Sequence, residues 1–145
     1  MKLTPVTATA KGPADRFRGD VYVTPVSTPT DPSYLSAGVV HFTPGARTNW
    51  HVHRNGQTLH VLEGIALVGT RDGEVVAARP GETVHCDPGV EHWHGATAQT
   101  LAVHVAIVVA SAGHDGTDWH EPVADDAYTA AQKAVQDTVP RQRQA

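Results

Sequence analysis

The stretch GARTNWHVHRNGQTLHVLEG, residues 45–64, decides how this chain is read. A glycine, Gly45, is followed by five residues, then His51 and His53 around Val52, three residues, Gln57, six residues and Gly64. In a β-strand, residues two apart project to the same face, about 6.6–6.8 Å apart along the backbone. His51 and His53 are therefore expected to point together, with Trp50 and Val52 on the opposite face. Two imidazoles at that spacing can converge on one ion. Gln57 lies just beyond the Arg54-Asn55-Gly56 turn, where the chain can fold back and bring its amide oxygen to the same point. His92, in DPGVEHWHG (residues 87–95), is the expected fourth ligand, and the Pro88-Gly89 turn sets how its strand begins.

Outward from this stretch the chain reads as short strands separated by turn formers. VYVTPV (21–26) is followed by the loop TPTDPS, then YLSAGVVHF (34–42), a TPGA turn and TNWHVH (48–53). QTLHVLEG (57–64), IALVGTR (65–71), an RDG turn, EVVAARPG (74–81), ETVHCDPGVEH (82–92) and the apolar run TLAVHVAIVVA (100–110) complete the series. Many short strands at roughly even spacing imply an all-β sandwich or closed barrel. Only residues 125–138, DDAYTAAQKAVQDT, carry a helical pattern, with an acidic start and Pro140 to stop it. Residues 1–14 suit an arm or edge segment and the tail RQRQA a frayed end. The expectation is one domain over residues 1–145, with its core at about 15–125.

Composition narrows the function. A net charge of −4 and no Lys/Arg run argue against a nucleic-acid or anionic membrane surface, which leaves small-molecule chemistry. The single cysteine, Cys86, rules out an internal disulfide and a thiolate cluster and suits a reducing cytoplasm. No apolar run is long enough to span a bilayer and the N-terminus lacks a signal-peptide core, so a soluble cytoplasmic protein is expected. Ten histidines, most between His41 and His104, mark where function should be sought.

The spacing of residues 45–64 resembles the first motif of the cupin superfamily at every position. PGETVHCDPGVEHWHG (80–95) resembles the second, with Asp87 in its proline position and Ala96 where many cupins have asparagine. The resemblance implies a cupin-type β-barrel, a double-stranded β-helix or jelly roll, with a short C-terminal helix. It also implies one divalent metal ion on His51, His53, Gln57 and His92. Most cupins carry glutamate at the position of Gln57. A neutral amide beside three neutral imidazoles leaves the charge of the ion uncompensated, which strengthens its Lewis acidity and weakens its retention. Nitrogen and oxygen ligands without sulfur suit Mn2+, Fe2+, Co2+, Ni2+, Cu2+ or Zn2+.

KGPADRFRGDV, PGART-x-W-HVH, GQTL, PGV-x-HWHGA, DW and VADDAY together resemble a small single-domain group that includes bacterial manganese-dependent hydroxynitrile lyases. This implies Mn2+ and an enzyme that splits a cyanohydrin into an aldehyde or ketone and hydrogen cyanide. His94, two residues from His92, is the candidate general acid/base; Thr48 is a candidate hydroxyl near the substrate and His104 a candidate for orienting it. An iron or copper dioxygenase and a binding module without catalysis are the alternatives. His41, His60 and His85 are expected to face outward, His114 and His120 to be solvated, and Trp50 and Trp93 to pack. Cupins commonly pair, and TLAVHVAIVVA would be a liability with an open edge, so a homodimer or homotetramer is expected.

Overall fold

The computed structural model describes residues 1–138 and consists of two curled antiparallel sheets with one helix. The first sheet contains β1 (Ala10–Lys11), β3 (Val21–Ser27), β4 (Leu35–Phe42), β7 (Gln57–Gly64), β10 (Thr83–Cys86) and β12 (Ala102–Val109). Their order across the sheet is β1-β3-β4-β12-β7-β10. The second contains β2 (Phe17–Arg18), β5 (Arg47–Thr48), β6 (His51–His53), β8 (Ala66–Thr70), β9 (Val75–Ala78), β11 (His92–Ala96) and β13 (Thr117–Trp119). Here β11 is the hub, paired with β5, β6 and β8.

Alternation along each strand sends one set of side chains between the sheets. Val21, Val40, Phe42, Val61, Ala66 and Ala102 form the closed end of this core, and Leu59, Val68 and Cys86 continue it. Each fully buried side chain of the Val/Leu/Phe class contributes about 1.5–3 kcal/mol relative to exposure. Burial also pushes the Cys86 thiol up to about 11, so this lone sulfur is inert packing. On the outer face of the second sheet, Trp50, Leu67 and Trp93 are covered by Tyr128, Ala131 and Val135, one stripe of helix α1 (Asp125–Thr138). Arg47 fastens that helix: its guanidinium, buried beneath the Tyr128 ring, donates to the Val123 carbonyl at 2.9 Å and to Asp125 at 2.7 Å.

The all-β architecture and the terminal helix agree with the sequence reading, while two details differ. TNWHVH is not one strand but β5 and β6, interrupted at Asn49 and Trp50 because Trp50 turns its backbone to Glu121 and His120 rather than to a ladder partner. ETVHCDPGVEH splits into β10 and the start of β11 around the 87–91 turn. TLAVHVAIVVA has no open edge: β12 is paired with β4 on one side and β7 on the other. Pro140 and RQRQA lie outside the described residues. Among the described residues no helix is long and apolar enough to cross a membrane.

Candidate metal centre

Three strands from both sheets deliver the centre. His51 and His53 project together from β6, their ring centroids 5.0 Å apart, and β11 sets His92 directly across from His51 in register, at 4.5 Å. The turn between β6 and β7 then reverses the chain at Gly56. Its φ is +75° and a Cβ there would stand 2.7 Å from the Cys86 carbonyl, so only glycine fits. Gln57, the next residue, enters between the sheets. His51, His53 and His92 are almost wholly buried, and one ring nitrogen of each lies within 4.8 Å of the others.

Hydrogen bonds decide which nitrogens are free. Nδ1 of His51 faces the Asn49 carbonyl at 2.9 Å, Nδ1 of His53 faces the Gly116 carbonyl at 3.1 Å, and Nδ1 of His92 faces the Val90 carbonyl at 2.9 Å. Carbonyls only accept, so each Nδ1 carries the proton and each Nε2 presents a lone pair. The Nε2 of His53 is buried without a hydrogen-bond partner among the described residues. The Nε2 of His92 stands 2.9 Å from Oε1 of Gln57. Two lone pairs facing at that distance repel unless the amide turns over or a cation takes both. An orphaned Nε2, an acceptor facing an acceptor and three oriented imidazoles together fit a divalent cation.

Electrostatics prepare the same state. Burial pushes the His51 imidazole down to about 3, with the neighbouring His92 adding to the shift. Burial likewise holds His92 down to about 4 and lowers His53. All three are neutral at physiological pH, as metal ligation requires.

A cavity of about 300 Å³ opens from this cluster. Thr48, His51, His53, Gln57, His94 and Asp115 bring polar atoms to it, and Phe17, Val40, Ala106, Val108 and Trp119 give it apolar walls. His94 projects from β11 to the same interior as His92. Burial among other imidazoles, His104 foremost, holds its pKa well below the ordinary value. His104 lies behind it rather than in the cavity, fully buried on β12, its Nε2 3.1 Å from Nδ1 of His94. Thr48 is buried on β5 and its hydroxyl oxygen accepts from the His94 backbone N–H at 3.1 Å. Thus both flanking residues hold His94 in place.

The sequence reading missed β13. Gly116 and Thr117 meet Nδ1 of His53, and Trp119 packs on His51 with centroids 4.7 Å apart. Three residues are too few to show a period of two, and only the DW pair hinted at them. His114, expected in solvent, is half-buried and bonded to Gly116 and Asp118; His120 is exposed and bonded to Glu91. His41, His60 and His85 stand on the outer face of the first sheet, away from the cavity.

Comparison with known proteins agrees with this architecture. The cupin domain family model matches residues 38–109. The chain is 42% identical over 121 residues, 83% of its length and 92% of the relative's, to an (R)-mandelonitrile lyase of Granulicella tundricola. A cupin-like protein of Thermotoga maritima superposes with a TM-score of 0.79 at 31% identity, over 92% of this chain and 98% of that one. A cupin 2 conserved barrel domain protein of Rhodopseudomonas palustris shares the fold, with a TM-score of 0.64 at 17% identity over 92% and 90% of the two chains. With its paired motifs folded into one buried histidine cluster between two sheets, this chain belongs to the cupin superfamily.

Proposed function

We propose that this protein is a manganese-dependent hydroxynitrile lyase, which splits a cyanohydrin into an aldehyde or ketone and hydrogen cyanide and catalyses the reverse addition. The observation that carries the reading is His94: an imidazole on the wall of the cavity beside the candidate ligand set, bonded among the described residues to another imidazole and to no carboxylate. The likeness to a mandelonitrile lyase over most of both chains supports it.

His51, His53, His92 and the amide oxygen of Gln57 would hold the ion. When bound, Mn2+ supplies Lewis-acid stabilisation to the substrate oxygen, and the absence of a carboxylate ligand leaves its charge available for that task. The apolar walls take the hydrocarbon part of the substrate and keep out water, which strengthens the polar contacts inside. His94 uses Nδ1 on His104, so Nε2 is its remaining proton-transfer atom. It accepts the hydroxyl proton of the cyanohydrin as the carbon–carbon bond breaks with its electron pair on cyanide, then returns the proton to cyanide. Its depressed pKa makes the imidazolium short-lived, which favours return of the proton. Thr48 and His104 act as positioning residues for His94.

The test is cyanide release from mandelonitrile by the manganese-loaded protein. His94→Ala is expected to lower kcat by about 10²–10⁴-fold while the bound manganese stays unchanged. A manganese form that releases no cyanide above background ends this reading.

A further inference from the structure

The stretch HDGTDW, residues 114–119, carries a charge that the centre does not use. Its Asp-Gly pair is a turn signal, and the turn is held from both sides. Ser111 and His114 exchange backbone hydrogen bonds at 3.1 Å. Gly116, at φ +86°, has the left-handed backbone that favours glycine and lies close against Val108 and Val109 at the end of β12. Its carbonyl faces Nδ1 of His53, which ties the turn to a candidate ligand. Asp115 is the residue between, and the Thr117 backbone N–H donates to its Oδ1 at 3.0 Å. The carboxylate is therefore oriented.

Asp115 lines the cavity, and among the described residues no other carboxylate, lysine or arginine does. It also lacks a cation of its own. No lysine or arginine of the described residues pairs with it. Nδ1 of His114, 3.9 Å away, accepts the Gly116 N–H and so has no proton to offer. Asp118, three residues on, differs: it faces Nε2 of His114 at 3.2 Å and Arg54 at 3.8 Å. The charge of Asp115 is left to act on whatever enters the cavity, and its field reaches the His53 imidazole.

We infer that Asp115 is a specificity-determining residue, which turns anionic carbonyl compounds, 2-oxo acids above all, away from the cavity and leaves it to uncharged aldehydes and ketones. This rests on the proposed lyase function. The need for such a residue comes from the ligand set. Four neutral ligands would leave the charge of a bound ion uncompensated, and a 2-oxo acid offers such an ion a carboxylate and a carbonyl oxygen together. A neutral ketone offers one oxygen and loses that competition unless the anion is penalised elsewhere. A fixed carboxylate on the cavity wall supplies the penalty. Like charges several ångströms apart at the edge of solvent change an affinity about three- to tenfold. Because the Asp115 side chain is exposed, salt screens the effect.

A matched pair of ligands tests this. Acetophenone and benzoylformate are the same aryl ketone carrying a methyl group or a carboxylate. Calorimetry reads their binding to the manganese-loaded full chain without turnover, so a protein that releases no cyanide ends the lyase reading and leaves this measurement intact. Asp115→Asn keeps an acceptor for the Thr117 N–H. It is expected to tighten benzoylformate about three- to tenfold at low salt, while acetophenone shifts by less than about twofold. Asp115→Lys is expected to move the ratio of the two affinities further in the same direction. Sodium chloride at about 0.5 M should erase most of the difference, which it would not do for a steric role. Equal shifts for both ligands, a gain that survives salt, or a chain that binds neither ketone overturns the inference.

Discussion

Two groups of histidines in this protein lie on opposite faces of the same kind of strand and have opposite properties. His51, His53, His92, His94 and His104 point between the sheets, buried, with pKa values pushed down by desolvation. His41, His60 and His85 point outward. His60 and His85 bond threonine hydroxyls across one ladder, whereas the inner group is oriented mainly by backbone carbonyls and by one another. A one-residue change of position along a strand reverses the face, and the face decides whether an imidazole is a buried, neutral candidate ligand or a surface group.

Acid breaks the contrast most severely. An imidazole with a lowered folded pKa contributes full stability above its unfolded value of about 6.5 and loses it as pH falls. His92 and His104 titrate in the folded chain only at about 4, and His51 at about 3. At pH 5 each such histidine therefore costs the metal-free protein about 2 kcal/mol, and together they approach the stability of a typical domain. Urea midpoints of metal-free protein should fall steeply from pH 7 to 5; a flat profile would contradict these environments.

Removing one inner histidine acts on the metal more than on the fold. His53→Ala deletes an Nε2 that has no hydrogen-bond partner among the described residues, so manganese affinity by calorimetry should drop on the order of a hundredfold, with a far smaller change in metal-free stability. Equal losses in both would mean that His53 is a packing residue. Gln57→Glu sharpens the comparison from the other side. A carboxylate offsets part of the ion's charge, so manganese should be held about tenfold more tightly while turnover falls. If retention is unchanged, the side chain at 57 is not a ligand. The smallest effect belongs to the outer group: His85→Ala should leave manganese affinity unaltered and shift stability by no more than about 0.5 kcal/mol, the range of a surface change.

Much of the centre was legible in the order of residues. His-x-His forces two imidazoles to one face wherever the segment is extended, and Gly56 marks the reversal that brings Gln57 back. The DPG turn before His92 likewise announces a new strand. Alternation also placed Trp50 and Trp93 behind the ligands, where they meet the helix. The strand break at Asn49 and Trp50 was not legible, because it depends on carbonyls and N–H groups supplied by residues 120 and 121. Nor was β13, which at three residues has no period of its own and exists through its ladder to β6.

Local sequence, then, determined the strand faces, the projection of His51 and His53 to one side, and the helix at 125–138, since each follows from spacings of a few residues. Tertiary structure decided how those pieces act on one another. His104 and His94 are ten residues apart in the chain and touch only because β12 and β11 belong to sheets that fold together. Trp119 reaches His51 across β13 in the same way. Which imidazole is buried behind another, and which nitrogen remains free, depends on long-range packing that no local period encodes.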